Sequence, residues 1–475
     1  MNPTPTTPML EEEFEETFEH FKMRQSRPWR IGRTVLSLAV WALALVGLGV
    51  LFYRLSEGLG VTNLGSIVPW GLWVAFYIFF IGLSAGAFLL STLVFVFGVK
   101  ALEPLSRLAV VQAIVCLALG LAFIFIDLGH WERFLNVIIH PQWQSVLAWE
   151  IWFYNAYAVV LLLELYLLMR CDLSRWGRTI RGGWGTLYRV LALGFSYPDT
   201  AEERAAHESQ TAKWTKIVGI IGIPIALGVH GGTGTIFAVV KARPEWYTPL
   251  FPLLFIISAL ASGGGLLLFA RVFFLPDPLR DRKVLPQVAN LVAAFLIFDV
   301  ILLIVSILVS RYGGIPDHIA PLELMMSGKY AWVFWGPQLL LGVAIPLLIL
   351  FSRPGGKAKY KIEEIGIAGL LILVGIFAVR INIVIPALAV PLLPGVDSVW
   401  NLRLLALYEP NWVEWFSSLG LVALGVQVFR IVLHRLPLRE HQEWPQRGPS
   451  RASMIEPSKA TSPVSASPST ATSSS

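Results

Sequence analysis

Charge is what this sequence has least of. Only 14% of its 475 residues are Asp, Glu, Lys or Arg, against about 25% in soluble domains. A chain this long with so few charges cannot keep several soluble domains hydrated, so length does not translate into a set of globular domains. Cysteine is nearly absent as well. Cys116 and Cys171 are the two cysteines, too few and too far apart for a disulfide framework or for the ligands of an iron–sulfur cluster. Met1–Arg33 begins with Pro, Thr and a run of acids rather than a basic stretch before a short apolar core, so no secretory signal peptide is expected. No glycine-rich phosphate loop, nucleophile elbow or nucleic-acid patch appears.

What the sequence does have is hydrocarbon. Apolar residues make up 55% of it and the mean hydropathy is +0.66. These values predict an all-α polytopic membrane protein. Ten runs reach spanning length: 34–53, 70–98, 105–126, 148–169, 215–240, 249–274, 286–310, 330–351, 363–390 and 412–434. With the N-terminus on the cytoplasmic side, 29 of the 37 Lys and Arg fall in cytoplasmic segments; seven fall outside and Arg380 lies within a span. The positive-inside rule therefore places both termini in the cytoplasm. Twelve of the 18 tryptophans then gather at the outer face. An interfacial belt has no reason to favour one side so strongly, so a docking surface is expected there.

LSAGAFLL (Leu83–Leu90) resembles LASGGGLL (Leu260–Leu267), in spans that run the same way four spans apart. That spacing predicts two four-helix bundles with two flanking helices. The divisions are a tail 1–33, a flanking helix 34–64, a first bundle 65–248 (spans two to five), a second bundle 249–395 (spans six to nine), a last flanking helix 396–436 and a tail 437–475. Small residues also recur wherever membrane helices approach closely, which is the other source of such a likeness. Leu10–Met23 has phenylalanines spaced for one helix face, fitting either a docking helix or a solvated tail.

Asp127–Tyr154 stands out. It places Asp127, His130, Glu150 and four tryptophans at one level of the bilayer, as one wall of a pocket for an amphipathic, redox-active molecule. If helical geometry continues through Gly129, Asp127 and His130 share a face and can handle protons together; the other role open to Asp127 is to cap the following turn. Ionisable groups inside a bilayer usually have a function. Glu164, His230, Asp299 and Arg380 lie well inside spans. They read either as stations of a proton route or, for Asp299 and Arg380, as an ion pair that fixes two helices together. Only His230 among the histidines is deep, so paired haem ligation is not expected, and the acid–histidine spacings match no metal site.

Several stretches resemble the NrfD/PsrC (polysulfide reductase membrane subunit) family: Pro69–Ser91, DLGHWERF at Asp127–Phe134, Val229–Leu267, Arg380–Val390 and Pro410–Gly425. The likeness covers roughly 65–435, and ten spans rather than eight resemble the longer members found with hydrogenases or in alternative complex III. The resemblance implies an integral subunit of a respiratory oxidoreductase in a bacterial inner membrane. It would exchange electrons between the quinone pool, menaquinone or ubiquinone, and a ferredoxin-like iron–sulfur subunit on the outer face. Further catalytic or cytochrome subunits, and proton translocation, belong to the same picture. It implies a quinone pocket in the first bundle near the docking face, where Trp70, Trp73, Trp149 and Tyr154 are candidate walls and Asp127, His130 and Glu150 candidate proton-handling groups. A secondary transporter and a purely structural anchor are the other readings.

Overall fold

The computed structural model describes residues 27–99, 102–197, 200–275, 281, 283–351, 362–390 and 408–438. Leu10–Met23 and nearly all of the last tail lie outside the described residues. Within them the chain is helical, and ten helices are long and apolar enough to cross a membrane. They are α1 (Arg27–Glu57), α2 (Leu72–Phe95), α3 (Glu103–Asp127), α4 (Val146–Thr179), α5 (Ala201–Ala238), α6 (Leu250–Phe273), α7 (Leu285–Tyr312), α8 (Ala331–Phe351), α9 (Ile362–Ala389) and α10 (Trp412–Arg435).

Several helices outrun the apolar segments that announce them. The sequence predicts the fifth span from 215, but α5 starts at Ala201 because Thr200 caps it. The Thr200 side chain accepts from the Glu203 N–H at 3.2 Å while Glu203 reaches back to the Thr200 N–H, a reciprocal capping box. In α8 the backbone is π-helical over Phe334–Ala344, around Pro337, which frees a turn that apolar periodicity does not foretell.

One membrane face carries the 128–145 connection with Trp131 and Trp143, and the 239–249 connection with Trp246; it is called the Trp face below. The opposite, basic face carries Arg175, Arg178, Arg181 and Arg189. α2 is the hub. It is buried along almost its whole length and packs against α3, α5, α6, α9 and α10, whereas α1 exposes Leu36, Leu45 and Phe52. Lipid is as apolar as leucine, so close packing and interhelical hydrogen bonds hold such helices together. The two similar motifs turn out to face each other. A Cβ on Gly86 of α2 would land on the Ala259 carbonyl of α6, and one on Gly263 would come within 2.5 Å of the Ala87 nitrogen. Small residues there are what let α2 and α6 touch backbone to backbone. Likewise α1 meets α10 at Gly47 and Gly420, where a Cβ on either would overlap the other's Cα.

Candidate functional site

α4 begins at the Trp face, and its residues at positions 150, 154, 157 and 164 turn inward on one face. Near its start, Glu150 is 2% exposed. Three hydroxyls donate to the same carboxylate oxygen, Oε1: Tyr77 of α2 at 2.8 Å, Tyr154 at 2.5 Å and Thr233 of α5 at 2.5 Å. The phenol oxygens of Tyr77 and Tyr154 lie 2.8 Å apart. A buried carboxylate is expensive unless its lone pairs are filled, and hydroxyls from three helices fill those of Oε1. Toward the Trp face, Phe237 lies one turn beyond Thr233 on α5. Its ring meets Trp246 edge-on at 4.9 Å, and Trp246 stacks on Trp70 at 5.9 Å.

A second polar group joins the ends of α1, α3 and α10. Arg54 is fully buried, donates to the Leu128 carbonyl at 2.6 Å and lies 5.5 Å from the centre of the Trp73 ring. Its charge interacts with Asp127, the last residue of α3. Trp73 donates from Nε1 to Ser417 Oγ at 3.1 Å. Beside it Tyr408 donates to Glu414, and accepts from the Leu72 N–H at 3.1 Å. Burial, then the neighbouring Glu414 charge, pushes the Tyr408 hydroxyl far above its ordinary range, so it stays a neutral donor.

A third group lies where α2, α5, α6 and α9 meet. Arg380 donates to Ser258 and, at 3.5 Å, to His230 Nε2, and its guanidinium sits 4.4 Å from the centre of the Phe255 ring. Gly82 makes the room: a Cβ there would stand 3.1 Å from the His230 ring. Asp299 of α7 acts on Arg380 through its charge rather than at contact distance. Glu164 belongs to none of these groups. It is buried in α4 and accepts from Ser91 of α2 at 3.0 Å.

The sequence-predicted residues thus divide. Glu150 and Tyr154 come together, with Trp70 linked to them through the aromatic group that begins at Phe237. Trp73 joins Arg54. Asp127 and His130 do not share a face, which corrects the expectation. α3 stops at Asp127 and Leu128 is extended (φ −65°, ψ 127°), so Asp127 turns toward Arg54 while His130 turns to solvent and pairs with Glu132 at 2.9 Å. Trp149 does not line the Glu150 group either. Adjacent helical residues point about 100° apart, and Trp149 is half exposed, packed on Trp143 with its Nε1 donating to the Trp143 carbonyl at 2.7 Å. The four charged groups expected along one route occupy separate places: Glu164 on the α2–α4 seam, His230 with Arg380 at the centre, and Asp299 beyond them. Sequence reasoning misses Tyr77, Thr233, Arg54 and Ser91. A lone hydroxyl inside PWGLWVAFYIFF is a weak sign, and Arg54 reads as a loop residue because it ends an apolar run.

A cleft of about 160 Å³ opens at the Trp face between Lys241, Arg243, Glu245, Asp317 and Ala387. Burial pushes the Glu245 carboxyl up to about 7, and a hydrogen bond from Ser310 at 3.5 Å opposes that rise. Among the described residues no group of three or more His, Cys, Asp and Glu is arranged to hold a metal.

The sequence matches the family model for polysulphide reductase, NrfD, over residues 60–391. It is 39% identical to the C subunit of selenate reductase from Mesobacillus selenatarsenatis, over 86% of this sequence and 94% of that one. It is 27% identical to the Hdr-like menaquinol oxidoreductase integral membrane subunit of Archaeoglobus fulgidus, over 84% and 94%. Its identity to a polysulfide reductase chain from Wolinella succinogenes is 24%, over 67% and 94%. The matched region begins just before α2 and ends just after α9, so it contains the Glu150 and Arg380 groups whole; the chain belongs to the NrfD polysulphide reductase family.

Proposed function

We propose that this protein is the quinone-reactive integral membrane subunit of a multi-subunit respiratory oxidoreductase, and that its quinone headgroup site is the Glu150 group. The observation that carries the reading is the convergence of Tyr77, Tyr154 and Thr233 on one buried carboxylate oxygen, close to the Trp face. Those residues fit a quinone by their chemistry: hydroxyl donors for a carbonyl oxygen, a carboxyl that gives or takes a proton, and an aromatic approach through Phe237, Trp246 and Trp70 for the ring and tail. When bound, a quinone supplies two-electron, two-proton chemistry. Tyr154 and Tyr77 are the hydroxyls that would hold its carbonyl oxygen. Glu150 holds the exchangeable proton, and the Thr233 hydroxyl keeps the carboxyl aligned. The relatives named for selenate reductase, menaquinol oxidoreductase and polysulfide reductase support this reading, and the one named for menaquinol favours menaquinone.

Electrons reach the site from an iron–sulfur partner on the Trp face, which is the extracytoplasmic face of a bacterial inner membrane, with both termini of this chain in the cytoplasm. The surface offered to the partner includes the exposed Trp143, Trp149 and Trp152, with the Trp143 ring stacked on Trp152 at 5.9 Å and tilted by 59° against Trp149 at 5.2 Å. The 391–407 part of the second predicted docking loop lies outside the described residues. The test is redox titration of the purified complex with a short-chain naphthoquinol. The expected result is reduction of the partner's clusters, blocked by a quinone-analogue inhibitor whose photoreactive form labels α2 or α4. Labelling confined to α7 or α8 would move the site to the other half of the molecule.

A further inference from the structure

The connection between α4 and α5 is more than a loop. α4 is 34 residues long, about 51 Å at about 1.5 Å per residue, against a hydrocarbon core about 30 Å thick. Arg170 is its first cation, and the turns beyond Arg170 stand past the core at the basic face. Gly182, at φ 89°, then reverses the chain into a short helix, Gly183–Leu191. This helix folds back along α4. A Cβ on Gly177 would stand 2.7 Å from Arg189 Cγ, and one on Gly185 would overlap the Ile180 carbonyl. At its far end the Ala192 carbonyl accepts from Tyr166 at 3.3 Å, and the Phe195 ring centre lies 5.0 Å from the Arg170 guanidinium. The returning chain thus comes back down to the edge of the hydrocarbon.

The short helix has three distinct sides. Gly185, Tyr188 and Ala192, spaced for one helix face, turn to the protein. Tyr188 is buried there, meets the Trp176 ring edge-on at 5.4 Å and donates to the Arg435 carbonyl at 2.8 Å. Trp184, Leu187 and Leu191 repeat that spacing one residue earlier, about 100° round the helix. All three are exposed, and Leu193 just beyond them is 73% exposed. The third side carries Thr186 and Arg189, which donates to Thr186 Oγ1 at 3.0 Å. An apolar side set between a packed side and a polar one is the pattern of a helix lying in a bilayer surface. The charges agree with it. From Arg170 to Tyr197 the sequence has five arginines and one acid, Asp172, which Arg107 holds at 2.6 Å. Arg178, Arg181 and Arg189 are exposed, and the Arg435 guanidinium lies 4.1 Å from the centre of the Trp184 ring. On α5, exposed Trp214 sits a turn from Thr211, to which Arg170 donates at 3.0 Å, and marks the same interface.

We propose that this corner of the basic face is a binding site for an anionic phospholipid. Acyl chain lies along Trp184, Leu187, Leu191 and Leu193, and the phosphate lies among Arg178, Arg181 and Arg189, whose planar guanidinium groups match its oxygens. A basic loop set by topology alone needs charge but no apolar side. A soluble anion would use the charge and leave the apolar side in water. A phospholipid supplies hydrocarbon and negative charge together, at the depth to which the short helix returns. Held there, it fastens the α4–α5 connection to the bilayer surface. The proposal does not depend on the quinone reading.

The test uses the full-length protein, isolated with its accompanying subunits, in nanodiscs of phosphatidylcholine. These carry a trace of a phospholipid with a photoreactive acyl chain, either phosphatidylglycerol or phosphatidylcholine. Peptide mass spectrometry after illumination should find adducts within 183–193, at least about fivefold more from the phosphatidylglycerol probe. High salt should weaken that preference. Arg178→Gln, Arg181→Gln and Arg189→Gln together should erase it while labelling by the chains persists. Should that triple variant fail to assemble, Arg181→Gln alone, at the exposed reversal, should lower the preference in part. Equal labelling by the two lipids in wild type overturns the headgroup site. Loss of the preference in excess inorganic phosphate gives the arginines to a soluble anion and overturns the lipid. Absence of adducts in 183–193 from either probe, or cross-links from Trp184 to another subunit in their place, overturns the bilayer placement and the site with it.

Discussion

Glu150→Gln separates proton chemistry from architecture at the proposed site. Glutamine has the size of glutamate and keeps an amide oxygen that can accept from Tyr77, Tyr154 and Thr233 where Oε1 does now. What it loses is the ability to hold or release a proton. Hydrogen bonds to a charged group contribute about 1.5–3 kcal/mol and those between neutral groups about 0.5–1.5. Three donors weakened to the neutral range set an upper limit of a few kcal/mol on the loss of stability, and burial among three packed helices keeps the complex assembled. Removing a general acid–base group typically costs 10²- to 10⁴-fold in rate, and a hundredfold loss is about 2.7 kcal/mol of barrier. The assay is naphthoquinol turnover by the purified complex, beside size-exclusion profiles and a thermal melt. The expected outcome is an intact complex with turnover at least about a hundredfold lower. Tyr154→Phe, which keeps the carboxyl, should instead raise KM more than it lowers kcat. An assembled Glu150→Gln complex with turnover within about threefold of wild type would refute the assignment of Glu150 as the proton-handling group.

Three further outcomes follow from the geometry. Asp127→Asn should lower stability by about 1–3 kcal/mol, because Arg54 is left with less compensation for its burial, whereas His130→Ala at the exposed position should change the melt by less than about 0.5 kcal/mol; equal effects in thermal melts would contradict the charge interaction between Arg54 and Asp127. Gly47→Leu should force α1 off α10, since even a Cβ overlaps Gly420; overpacking costs typically about 1–3 kcal/mol, and an unchanged melting temperature would show that the contact does not hold α1. Glu245 titrates at about 7 in the folded protein against 4.5 for an unhindered carboxyl. The folded state therefore binds more protons between these values, so stability should fall as pH rises from about 4.5 to 7 and level off above. The difference is at most about 3.4 kcal/mol, read from detergent melts across that range, and Glu245→Gln should flatten it.

The amino-acid sequence by itself determines that the chain lives in a bilayer. Charge scarcity and apolar runs of spanning length leave no other way to solvate it, and ten runs become ten helices. The family was legible for a related reason: PWGLWVAFYIFF, DLGHWERF and VHGGTGT combine aromatics, glycines and ionisable residues that generic membrane helices do not need. Glu150 and Tyr154 were legible as candidates because they are four apart on one helix, so local periodicity alone puts them on a common face. What local periodicity cannot supply is the partner across the gap. Thr233 and Tyr77 reach Glu150 only because α2 and α4 both pack against α5. The fate of Asp127 and His130 was likewise decided by tertiary structure. Three residues apart, they would share a face if α3 continued, but the helix ends at Asp127, and the buried Arg54 of α1 holds the Leu128 carbonyl. A buried cation from a distant helix fixes that turn, and sequence spacing within the turn carries no record of it.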